Sequence, residues 1–528
     1  MVSIWRWVMS RNNTAAVAPA VGKRVRSGAV LVSAVITQLM LVLDMTVIAI
    51  ALPQMQDDLG MSADQRPWVV TAYSLAFGGL ILFGGRLTAV LGIRRAYRTG
   101  LIGFAVASLV AGLAPSFGVL VAARAVQGGF GALLAPTVLA LVNTTFTDQT
   151  DRTRAFGTLG ATGGLGAAVG LMVGGALTDA LDWRWCLYVN VSIAVVAFLV
   201  GRRSLPPASQ RDRTTRITED VLGLALGCAA IFSLVYGLNQ AQQHEWTSTS
   251  TLIWLSAGAV FAVLFVVREW RARQPVLPLW LTTHPARAAS CTVQFLNGAA
   301  QMGAFLYLTY YFQDFLGYTP LKTGIMFLPM VATLVLTAMI ASRLLVPRLG
   351  AKGMFPLGLA IQAAAFIVLA QMTVDSTYIQ AALPGLIIYG VGVGLVMPMT
   401  FNAGTRGVGE HRSGLASAVL NASQQIGSSF GVALLATYAT HRITDYINAH
   451  KEAIQADIAR ALAQAQTTPD TAAGQQIIEQ IKEQASANAQ IAAYSGGFAL
   501  LAWIFVGASM LLVIAVLFFV LSRRKSHA

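Results

Sequence analysis

The chain has 528 residues, of which 56% are hydrophobic and only 11% charged. So few charged side chains cannot cover a soluble surface of that size, so the composition excludes a water-soluble enzyme or binding domain and predicts an all-α protein that crosses a membrane many times. The net charge of +14 does not point to nucleic acid, because arginine and lysine gather in alternate loops between apolar runs, the bias of cytoplasmic loops in membrane proteins. Cys186, Cys228 and Cys291 fall in or beside apolar runs, which argues against a disulfide framework or a metal cluster. No phosphate-binding G-x-x-x-x-G-K-[ST] loop is present, so neither ATP-driven transport nor a bound cofactor is expected.

Residues 1–28 read as a basic cytoplasmic tail, with Trp5 and Trp7 placed to rest on the membrane surface. Apolar runs of spanning length follow near 29–52, 67–88, 99–115, 117–142, 154–178, 184–201, 219–240, 250–268, 289–312, 321–345, 353–373, 380–404, 413–439 and 495–520. These predict fourteen transmembrane helices in the inner (cytoplasmic) membrane. Both termini are expected in the cytoplasm, where the tail Arg523-Arg524-Lys525 and the linker arginines Arg202, Arg203, Arg211, Arg213 and Arg216 would lie.

The sequence repeats itself. Gly128 to Thr137, with Pro136, is echoed by Gly390 to Thr400, with Pro398; Gly166 and Gly170 are echoed by Gly427 and Gly431; Leu87, Gly92 and Arg94 recur as Leu345, Gly350 and Lys352. Two related six-helix halves are therefore predicted, at 29–201 and 289–520. The region 202–288 between them carries two inserted spans at 219–240 and 250–268, and 521–528 forms a second tail. Repeats of this kind hold substrate near the midplane at their interface and alternate access by rocking. An insertion at 441–493, rich in Ala, Gln, Glu and Lys, reads as an external helical hairpin that turns at Thr467-Thr468-Pro469-Asp470.

Of the 22 Asp and Glu residues only Asp44 falls deep inside an apolar run. It stands eight residues before the end of its run, about 12 Å in at the helical rise. A carboxylate there costs about 2.5–3.5 kcal/mol on insertion scales, so such residues face a bundle interior and serve ions or protons. Burial favours its protonated form, and a nearby cation the ionised one. Arg124 is the one deep base, about 10 Å below the same surface. It is expected near Asp44, either tuning the acid or pinning two helices, and the two roles are compatible.

Gln294, Asn297 and Gln301 stand a helical turn apart in the ninth run, and Asn421, Gln424, Gln425 and Ser428 do so in the thirteenth. Such stripes face something other than lipid, and both interhelical hydrogen bonding and a watery substrate path account for them. Tyr307, Tyr310 and Tyr311 are read either as an interfacial belt, the better reading for the last two, or as a wall for flat apolar cations. Tyr73, Phe77 and Phe401 are weaker cavity candidates, and Gln127 is placed with them.

With these residues set out, the chain resembles the fourteen-spanner drug:proton antiporters of the major facilitator superfamily. The likeness rests on Leu43-Asp44 through Thr46-Val47 to Ala51-Leu52-Pro53, on Arg124 with Gln127-Gly128, on Trp183-Arg184-Trp185 with Asn190, and on Leu316-Gly317-Tyr318-Thr319-Pro320-Leu321 with Gly324 and Leu328-Pro329. It implies proton coupling through Asp44 and Arg124. The gating loop of the family keeps Gly85, Leu87, Gly92 and Arg94, but Ala89 and Val90 replace its acid and the following arginine, which leaves Arg94, Arg95 and Arg98 for lipid phosphate or helix ends. The antiporter glycines Gly166, Gly170, Gly174 and Gly175 are present, with Leu171 in place of a proline. Glycines at this spacing allow close helix approach and are expected at the hinge seam between halves.

The expected activity is proton-coupled export of hydrophobic or cationic compounds, giving multidrug or antibiotic resistance. The alternative is export of a lipid, a fatty acid or a self-made antibiotic. Expected partners are protons, a lipophilic or cationic small molecule, membrane lipids and, at the hairpin, a periplasmic adaptor. A membrane-embedded enzyme is not expected, because all six histidines fall in predicted loops or tails.

Overall fold

A computed structural model describes residues 27–62, 65, 68–202, 205, 220–243, 245–272, 275, 277, 283–408 and 410–525. The amino-terminal tail with Trp5 and Trp7, the linker arginines Arg203, Arg211, Arg213 and Arg216, and the side chain of Leu171 lie outside the described residues.

The described residues are helical, with no strand among them. We number the helices α1 (Ser27–Leu59), α2 (Trp68–Leu91), α3 (Ile93–Gly112), α4 (Phe117–Thr145), α5 (Gln149–Ala180), α6 (Trp185–Gly201), α7 (Val221–Gln243), α8 (Thr249–Arg271), α9 (Pro285–Tyr310), α10 (Pro320–Met326), α11 (Leu328–Leu344), α12 (Val346–Leu369), α13 (Leu383–Thr405), α14 (Glu410–Ala449), α15 (Lys451–Gln464) and α16 (Ala472–Lys525). All fourteen apolar runs coincide with helices, the tenth with α10 and α11 in succession. Among the described residues, nine helices are long and apolar enough to cross a membrane by length and composition. Helices such as α5 and α14 fall short because their sequences are rich in glycine, threonine, serine and amides. Among them Gly166 and Gly170 of α5 and Gly427 and Gly431 of α14 meet neighbouring helices.

The chain forms two compact units, one of residues 1–228, 264–287 and 401–421, the other of 229–263, 288–400 and 422–528. In the first, α2 packs along α4, α3 along α4 and α6, and α1 along α5 and α6. The repeat is visible in these contacts. Gly128 on α4 abuts the carbonyl of Tyr73, and Gly390 on α13, in the second unit, abuts that of Met330. Gly166 and Gly170 press α5 onto Val42 and Thr46 of α1, and Gly427 and Gly431 press α14 onto the carbonyls of Phe295 and Ala299 on α9. Gly166 and Gly170 thus pack inside the amino-terminal half. Gly92 at φ 78° and Gly350 at φ 57° take the same left-handed bend at matching places, where a side chain would be strained.

In the second unit Tyr307 is buried, its ring 4.7 Å from that of Tyr494 and its hydroxyl donating to the Leu435 carbonyl. It ties α9 to α14 and α16. Tyr311 is buried too and donates to Ser376 O at 2.6 Å, whereas Tyr310 is 42% exposed, as a belt residue would be. The hairpin is present as helices: α14 runs on to Ala449, and α15 turns at residues 465–471 to pack on α16 with Leu462 buried.

One end of the first unit is tied by a small polar latch. Trp183 Nε1 and Arg184 Nη1 donate to Asp58 Oδ2 at 3.1 and 2.8 Å, and the Arg184 guanidinium lies 4.4 Å over the Trp183 ring. The Trp183 hydrogen bond, then that of Arg184, holds the Asp58 carboxyl below its usual range. A lowered carboxyl contributes stability that is present above its unfolded value, about 3.9, and is lost as pH falls through the folded one. Asp58→Asn should therefore lower thermal stability in detergent at neutral pH, with the gap to wild type closing as the pH falls below the ordinary carboxylate range. A gap that is unchanged across that range would exclude the latch.

Candidate functional site

The deep acid and base meet. Asp44 on α1 and Arg124 on α4 form an ion pair at 2.7 Å, Nη1 to Oδ2, with both residues 0% exposed. Three residues further along α4, on the same face, Gln127 donates from Nε2 to Asp44 Oδ1 at 2.8 Å and to Ser108 Oγ of α3 at 2.8 Å. Its Oε1 accepts a second bond from Arg124 Nη1 at 2.7 Å. Asn190 on α6 completes the shell, donating from Nδ2 to Asp44 Oδ1 at 2.6 Å. Close approach of α2 at Gly128 brings the Val69 carbonyl within 3.2 Å of Arg124 Nε and the Tyr73 ring to 4.5 Å from the guanidinium. Five helices thus converge on one carboxylate.

On the side toward the Asp58 latch the cluster is sealed by Leu43, Val47, Leu120, Ala123, Trp183, Cys186 and Leu187. Desolvating two ions costs several kcal/mol each, and the pair survives burial because nearly every polar atom around it is hydrogen-bonded. Asp44 does not point into lipid. Nor does it touch solvent in this conformation, so proton exchange requires a second arrangement that uncovers it.

Of the residues expected to line a substrate cavity, Gln127 and Tyr73 belong to this buried shell, and Phe77 stacks 5.9 Å from Tyr73. In the second unit Gln294 donates to Gln424 at 2.9 Å, joining α9 to α14, and Asn297 is buried with no hydrogen bond on its amide. Asn421 bonds its own helix at Ser417 O, while Gln301 and Gln425 are half-exposed. Gly174 accepts from Thr178, and Gly175 has open space beside it. Asn190 and Ser108 were not singled out for this role by the sequence; Asn190 stood in a recognised pattern, and its near-equal depth to Asp44 was the available signal.

A polar seam without an acid lies elsewhere in the first unit, between the amino-terminal half and residues 401–421. Gly85 packs against the Gly414 backbone and the Ala418 side chain. Asn143 donates to Ser413 at 3.0 Å and accepts from Thr405 at 3.2 Å. Asn402 accepts from Arg152 at 3.2 Å and donates to Thr153 at 2.7 Å. No acid stands at Ala89 or Val90, and amides, hydroxyls and the Arg152 guanidinium make the connections instead. Arg94 lies half-buried in the first turn of α3, and Arg98 donates to Arg202 O at 3.0 Å, capping the end of α6.

Two outcomes follow. Arg124→Leu leaves a buried carboxylate unpaired and should destabilise the protein by about 3–5 kcal/mol at neutral pH, with much of that loss absent in an Asp44→Asn background; additive losses in detergent unfolding would mean the two residues are not coupled. Asn143→Ala with Asn402→Ala removes hydrogen bonds worth about 0.5–1.5 kcal/mol each. Amide exchange in 401–421 should then rise while that around Asp44 stays the same, and unchanged exchange in 401–421 would discard the seam.

Comparison with known proteins agrees with this architecture. The profile of the Major Facilitator Superfamily matches residues 34–432. The chain is 43% identical over 416 residues to the puromycin resistance protein of Streptomyces alboniger, covering 78% of this chain and 82% of that one. It is 35% identical over 409 residues to the cephamycin export protein of Amycolatopsis lactamdurans, covering 77% and 84%. Among solved structures, that of human MFSD10 (TETRAN) superposes with a TM-score of 0.60 at 15% identity, covering 91% of this chain and 99% of that one, a likeness of fold. The chain is a multi-pass membrane protein and belongs to the Major Facilitator Superfamily.

Proposed function

We propose that the chain is a proton-coupled efflux transporter that exports hydrophobic or cationic compounds and so confers drug or antibiotic resistance. The observation that carries this reading is a single carboxylate, buried among five helices and paired with one arginine, in a chain similar to antibiotic resistance and export proteins. Asp44 takes a proton when the site opens to one side and yields it when it opens to the other, and Arg124 stabilises the ionised form between those events.

In this reading the protein has fourteen spans in two six-helix halves in the inner membrane, with both termini cytoplasmic. The polar seam around Gly85, with Gly92 and Arg94 on the loop beyond it, then gates the cytoplasmic side. Gln294, Asn297, Gln301, Asn421, Gln424 and Gln425 provide polar anchor points for cargo, and the hairpin of α15 and α16 lies outside, where it can meet an adaptor. Export of a self-made antibiotic is the second reading, favoured by the puromycin and cephamycin names of these two relatives.

The test is ethidium efflux from vesicles with an imposed pH gradient. Wild type should respond to the gradient, and Asp44→Asn should lose that response while remaining folded. Full gradient-driven efflux in the variant would contradict the mechanism.

A further inference from the structure

Resting on the proton-coupling reading of Asp44, we infer that Asn190 is the positioning residue that lets the carboxyl exist in both protonation states, by reversing the sense of their shared hydrogen bond. The ionised carboxylate only accepts, and here it accepts from Arg124, Gln127 and Asn190. Protonation turns one oxygen into an O–H donor that must find an acceptor, because a buried donor left unmade is costly. The nearby acceptors are already engaged. Gln127 Oε1 takes Arg124 Nη1, the Val69 carbonyl takes Arg124 Nε, and Ser108 Oγ takes Gln127 while donating to Phe104 O.

Asn190 Oδ1 is the exception. It is buried, in a side chain 0% exposed, and has no hydrogen-bond partner. The Tyr73 hydroxyl is also without a partner, but it lies against Gly131 and makes no bond to Asp44. The 2.6 Å contact requires the amide nitrogen to face an ionised Asp44, since two acceptors would repel there. A half-turn of the amide puts Oδ1 in the same place, where it accepts the new O–H. A hydronium gives its proton to Asp44 Oδ1 and leaves as water, Asn190 turns, and Arg124 keeps its charge throughout. Release runs the steps backwards. An arginine or lysine at 190 could serve only the ionised state, and an aliphatic residue neither.

The experiment compares Asn190→Thr, whose hydroxyl can donate or accept, with the isosteric Asn190→Val, which does neither. Both are measured in vesicles for pH-gradient-driven ethidium efflux and for ethidium exchange without a gradient. The ratio of driven rate to exchange rate should fall about tenfold or more in the valine variant and less than about twofold in the threonine variant. Should the valine protein not be recovered folded, Asn190→Ala, which neither donates nor accepts, takes its place in the comparison. A valine or alanine variant that keeps the wild-type ratio overturns the inference, as does an equal fall of both rates in every variant, which would mark a purely structural residue. Wild-type efflux that ignores the gradient would instead overturn the coupling reading itself.

Discussion

Everything in the first unit depends on keeping one ion pair out of water. A carboxylate and a guanidinium inside a helix bundle are tolerable only if their remaining lone pairs and protons are satisfied, and that demand fixes what the neighbouring helices must bring. α4 supplies Arg124 and, three residues on, Gln127; α3 supplies a hydroxyl; α6 supplies an amide; α2 supplies a carbonyl and an aromatic face. The glycines follow from the same demand, since the Val69 carbonyl can reach Arg124 only where α2 and α4 touch backbone to backbone. Removing a packing glycine here would disturb electrostatics as well as packing.

The two halves share this scaffold but not its chemistry. Gly128 and Gly390 occupy matching positions against their neighbours, and at the same offset Arg124 and Gln127 are matched by Leu386 and Tyr389, both buried. The backbone contacts of an ancestral repeat are kept while the charge is confined to one copy. One copy thus holds the buried ion pair, while the other has an apolar and a phenolic side chain at the same places.

Much of this was legible in the sequence because a membrane makes polarity conspicuous. Apolar runs located the helices, and the solitary deep acid and deep base were matched by depth alone before any contact was known. What depth and periodicity do not reveal is which helices touch. Asn190 and Ser108 therefore carry no sign of their place beside Asp44, and neither the burial of Gln127 and Tyr73 nor the contact of Gly166 and Gly170 with α1 can be read from the spacing. The missing acid at Ala89 was legible, but its replacement was not. The seam is built from Asn143, Asn402, Ser413 and Thr405, common residues whose meaning appears only when positions some 250 residues apart are brought together.

The account stands on Asp44 exchanging a proton in step with cargo. The most direct measurement is the pH change of a weakly buffered solution of purified protein when ethidium is added. Proton release on binding is predicted for wild type and its absence for Asp44→Asn. Equal release from both proteins, or none from wild type despite measurable binding, would contradict the claim.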